Sequence, residues 1–124
     1  MARTPTGWPA ELPPPGSPEL PERVVGWLLD QGPAPLRASS LRAHPRALAA
    51  ALDHIVEGQI DGLRRAYATT RSDLRGTQDE PATDEILAGI EAAGAALLQL
   101  RREIQAVRAA LADVDAQPGG AADE

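Results

Sequence analysis

Nine apolar residues in the C-terminal half alternate strictly by four and three positions: Ile86, Ile90, Ala93, Leu97, Leu100, Ile104, Val107, Leu111 and Val114. In a chain that is 43% hydrophobic, such a run arises by chance about 0.05% of the time, and below roughly 1% once seven registers are allowed. The alternation averages 3.5 residues and keeps every position on one side of a helix, which makes it an a/d seam. A seam of this kind is satisfied by lying against another helix. It predicts an all-α, coiled-coil-like architecture and carries no chemistry of its own.

Composition agrees with helices. The chain lacks Phe and has one Tyr and two Trp among 124 residues, so its core must be Leu, Ile, Val and Ala. Sandwiches and barrels favour β-branched and aromatic fillers. Cysteine is absent, which excludes disulfides and thiolate metal sites. A net charge of −6 repels nucleic acid and anionic membranes unless a local basic patch overrides it. No apolar run approaches the length of a membrane-spanning helix. The prolines from Pro9 to Pro21 interrupt any apolar signal core, so the expected location is cytoplasmic.

The punctuation divides the chain into a Pro-rich flexible arm (1–20), a helical-hairpin domain (21–116) and a disordered tail (117–124). The arm is expected to be extended, partly polyproline II and mobile. Trp8 is its one anchor for a partner, and Pro15–Gly16–Ser17–Pro18 has a loose PxxP spacing. A short helix is predicted over 21–31, apolar through Val24, Val25, Trp27, Leu28 and Leu29 and ended by Gly32. Trp27 either wedges that helix onto the hairpin or faces a partner.

Pro33, Pro35 and Pro45 make 33–45 a connector, with Ser39 or Ser40 capping one short turn. A first long helix follows over 46–75. Its spine is Leu52, Val56, Ile60, Leu63, Tyr67, Thr70 and Leu74, near 3.6 spacing. Gly76 to Thr83 reads as a turn, with Thr83 as the next N-cap. Both long helices are acidic early and basic late. Only antiparallel pairing sets acid beside base: Glu57 beside Arg101 or Arg102, and Arg75 beside Asp84 or Glu85. The expected fold is therefore an antiparallel long helical hairpin with a short N-terminal helix packed on it. Small residues beside the seam (Gly89, Gly94, Ala96, Ala110) are expected to bring its helices close together.

Three constellations remain. His54, Glu57 and Asp61 share a helix face with spacing known from bundle metal sites. The second long helix supplies no His, so a solvated polar face is the stronger reading and no metal or cofactor is expected. Arg37, Arg42 and Arg46, with His44, make the connector locally basic beside a helix start, which suits an anion or an acidic partner. No nucleophile elbow or phosphate loop is present, and Tyr67 reads as a spine residue. The expected function is therefore a non-enzymatic interaction module, an adaptor or small subunit. It would bind a protein partner or a second copy through an apolar stripe or the arm, with Trp8, Trp27, Arg37, Arg42 and Arg46 as candidate contacts. The alternative is a regulator that takes an anionic ligand or nucleic acid on Arg37–Arg46.

Overall fold

The computed structural model describes the backbone of residues 4–116 and the side chains of 4–113. The expected tail 117–124 and the side chain of Val114 lie outside the described residues. The chain is an all-α helical hairpin with a short N-terminal helix. Its helices are α1 (Leu20–Gln31), α2 (Pro45–Asp73) and α3 (Glu80–Ala116), with short 3-10 turns at Ala34–Ala38 and Ser40–Ala43. The described residues contain no strand. Contacts divide the chain into a terminal unit, residues 1–55 with 102–124, and a turn unit, Val56–Arg101.

The terminal unit holds most of the apolar core. α1 starts with Pro21 in its first turn, where the missing N–H is no loss. It buries Leu20, Val24, Trp27, Leu28 and Leu29. Gly32 ends the helix where only hydrogen fits: a Cβ there would lie 2.6 Å from Leu52 Cδ2 and 2.8 Å from Leu36 Cδ1. Leu48, Leu52, Ile104 and Val107 are fully buried. Ser39 acts as the predicted cap, its hydroxyl accepting from the Leu41 N–H at 3.2 Å and donating to Leu36 O at 2.8 Å. Asp53, only 7% exposed, receives Arg108 Nη1 at 2.8 Å and Gln105 Nε2 at 3.3 Å. That crossing pair joins α2 to α3 with the antiparallel polarity that the charge pattern predicts.

The Pro-rich segment takes a different form from the expected extended arm. Its N–H groups at Trp8, Leu12, Ser17 and Leu20 bond back to the carbonyls of Pro5, Pro9, Pro14 and Ser17, giving a succession of tight turns. Gly7 and Gly16 sit at φ 83° and 89°, the left-handed geometry required at the third position of a type II turn. Pro15–Gly16 is therefore a turn rather than part of a polyproline ligand. Pro9 is fully buried and Leu12 is 6% exposed, so this segment contributes to the core. Its prolines fix each φ in advance, and the glycines between them reverse the chain.

In the turn unit Val56, Ile60 and Leu87 are buried. Arg101 reaches Glu57 at 3.5 Å, as the antiparallel pairing requires. At the other end Arg71, rather than Arg75, takes the acids: Nη1 meets Glu80 at 2.9 Å and Nη2 meets Asp84 at 3.1 Å. Both carboxylates favour the guanidinium charge, and the Asp84 hydrogen bond leads in raising its pKa. Arg75 lies past the end of α2 and its N–H belongs to the turn, on Ser72 O. α3 also begins before Thr83. Asp79 is the cap, its Oδ1 accepting from the Ala82 N–H at 2.9 Å, and Pro81 occupies the first helical turn. The Thr83 hydroxyl donates back to Asp79 O at 3.0 Å.

Candidate interaction surface

Along α3 the nine-position seam meets two environments. Ile104 and Val107, in the terminal unit, are fully buried. In the turn unit Leu97 and Leu100 are half-buried, Ala93 is exposed, and Ile86 is 36% exposed. Within the turn unit the α2 spine is uneven: Val56, Ile60 and Thr70 are buried, Leu63 between them is half-buried and Tyr67 is 45% exposed. One helix covers one flank of a seam, and within the turn unit no third element covers the other.

The result is an open apolar groove of ≈ 430 Å³. Ile60, Leu63 and Tyr67 form the α2 wall, and Ile90, Gly94 and Leu98 belong to the α3 wall. Arg64 and Glu91 are its charged groups, one on each wall. Arg64 contacts Asp61 on its own helix at 3.4 Å. Glu91 has no ion pair or hydrogen bond among the described residues. A second groove of ≈ 550 Å³ shares Leu63 and is lined by Gly62, Ala93, Ala96 and Leu97. Apolar side chains therefore remain open on both sides of Leu63.

Small residues produce this opening. A Cβ added at Gly58, Gly62, Gly89 or Gly94 would meet nothing within 4 Å. The expectation that Gly89 and Gly94 draw the hairpin helices together is not what the structure shows. Each instead leaves a shallow place on an outward surface, at about 1 kcal/mol of helix propensity relative to Ala.

The candidate partner contacts read from the sequence, Trp8, Trp27, Arg37, Arg42 and Arg46, lie in the terminal unit. Trp8 is half-buried, and its indole N–H donates to Pro13 O at 3.1 Å. Trp27 is 8% exposed, which matches its reading as an internal wedge. Arg37 pairs with Asp30 at 2.5 Å, and Arg42 Nη1 donates to Arg37 O at 3.2 Å. The structure thus brings Arg37 and Arg42 together and sets an acid beside the first. Arg46, on the first turn of α2, lines a small hollow with Arg108. His54, Glu57 and Asp61 are all exposed. Glu57 and Asp61 are in contact with Arg101 and Arg64. Among the described residues, no group of three or more His, Asp or Glu could hold a metal ion.

Sequence reasoning missed Tyr67 as an exposed residue, whereas Leu98 already read as widening the apolar surface beyond the seam. Tyr67 fits the spine periodicity and Leu98 lies just off the seam, but period alone does not show how bulky the facing helix is. The usable signal was Gly94–Ala95, too small to cover either side chain. No family model, curated protein or solved structure matches this chain. No helix among the described residues is long and apolar enough to cross a membrane.

Proposed function

We propose that the chain is a non-enzymatic interaction module whose binding face is the apolar groove of the turn unit. The observation that carries this reading is the exposure of Tyr67 and Leu98, at 45% and 40%, around a groove already shaped by two helices. Large apolar side chains concentrated in one place, rimmed by a few charges, are the usual mark of a protein-binding surface. Helix-in-groove recognition fits the form, since a third and a fourth helix complete a bundle around a two-helix seam.

The groove is favoured over the N-terminal arm because of what the arm already does. Trp8 bonds within its own turn and Pro9 is buried, so a partner would have to displace them. Photocrosslinking in cells tests the reading. A crosslinker replacing Leu98 is expected to give protein adducts that disappear when Gly94→Leu fills the groove. The same crosslinker at exposed Asp113 is expected to give few. Equal labelling from both positions, or adducts indifferent to Gly94→Leu, would overturn it.

A further inference from the structure

We infer that the occupant of this groove is a second copy of the chain, related by a two-fold axis running along the hairpin. The inference rests on the groove being the binding face, and it adds the identity of the partner. A two-fold contact needs a patch complementary to itself, so that where residue i meets j, j also meets i. The groove meets that condition in both charge and shape.

The charge argument follows from register. Glu57 pairs with Arg101 and Arg71 with Asp84, which fixes the level of α2 against α3 within the turn unit. Arg64 lies midway between Glu57 and Arg71. Ala92 and Ala93 lie midway between Asp84 and Arg101, next to Glu91. Arg64 and Glu91 therefore sit at nearly the same level, one on each wall. With the axis along the hairpin, α2 of one copy crosses α3 of the other. Arg64 then faces Glu91 of the second copy, and symmetry makes the pair twice. Turning the second copy end over end instead stacks α2 on α2 and sets Arg64 against Arg64. The charges thus select one of the two face-to-face arrangements.

Shape agrees. The same patch holds protruding side chains, Tyr67 and Leu98, and low ground at Gly94 and Ala95. Each copy brings ridges to fill the other's groove, and the absent Gly94 side chain leaves room for them. The product is a four-helix bundle in which the uncovered half of the seam gains its missing flank. A helix from an unrelated protein could fill the groove, but nothing would require Arg64 and Glu91 to be level with each other.

Sedimentation of the full chain over a concentration series tests this. The expected result is a reversible monomer–dimer equilibrium. A Cβ at Gly94 meets nothing within 4 Å, so Gly94→Leu is expected to keep the helical circular dichroism signal while weakening association by about tenfold or more. Arg64→Glu and Glu91→Arg each weaken association by about tenfold, and the two together restore it. A chain that stays monomeric at every concentration overturns the inference. So does a dimer indifferent to Gly94→Leu, or a double exchange no better than either single one. Groove crosslinks to a different protein would reject the second copy while upholding the binding face. Loss of all groove-dependent adducts would reject both.

Discussion

Gly32 and Asp53 show how single positions hold the terminal unit. At Gly32 the constraint is space: the two atoms that a Cβ would strike belong to Leu36 and to fully buried Leu52. Leu52 cannot swing away without opening a gap elsewhere, so Gly32→Ala is expected to destabilise the fold by about 1–3 kcal/mol in urea melts. At Asp53 the constraint is charge. Its side chain is 9% exposed whereas that of Arg108 is 44% exposed, so the two partners are not equivalent. Removing Arg108 leaves a shielded carboxylate with less compensation, whereas Asn at position 53 keeps an acceptor for Gln105. Arg108→Ala is expected to cost about 1–3 kcal/mol and more than Asp53→Asn. Urea melts of the two single variants measure the difference, and equal costs would mean that the pair is solvated like an ordinary surface bridge.

Helix α3 passes through two settings, and its substitutions should register both. Ile104→Ala removes a fully buried side chain and is expected to cost about 2–5 kcal/mol. Leu97→Ala, at a half-buried position of the same seam, is expected to cost clearly less when measured on dilute protein. Equal costs would mean that the turn unit is covered in solution even at low concentration. The helix-interior glycines make the opposite prediction. Nothing occupies the space of a Cβ at Gly58 or Gly89, and neither residue lines either apolar groove. Ala at either position should raise stability by about 0.5–1 kcal/mol in thermal or denaturant melts. The sequence made much of this legible. Period and charge order revealed both long helices, their antiparallel sense and the level of Glu57 with Arg101 or Arg102. It did not reveal which half of the seam is covered, because that depends on side-chain bulk across the interface. It also placed the start of α3 a few residues late, because Asp79 and Thr83 are both good caps and Pro81 is equally at home in a first turn.

For the molecule as a whole, the N-terminal segment bears most directly on the distinction between fold and function. A Pro-rich tract reads as a tail because it offers little to bury, yet two apolar side chains inside such a tract can still complete a core. Pro9 and Leu12 do so, and Arg23 ties the segment down by donating to Glu11 O at 2.8 Å. Leu12 and Trp27 line one hollow, so removing the first should wet the second. Leu12→Ala is expected to cost about 2 kcal/mol, the low end for a buried leucine because the surrounding turns can relax. In a Trp8→Phe background, where Trp27 is the sole tryptophan, its emission should move to longer wavelength. Deleting residues 1–19 should have a larger effect on both the melt and the emission. Association through the turn unit should persist in any fraction that remains folded, because no residue before 56 lines the groove. A truncated chain with an unchanged melting temperature would show that the buried proline and leucine contribute nothing to stability. A truncated chain that stays folded but no longer associates would move the binding face from the groove to the arm.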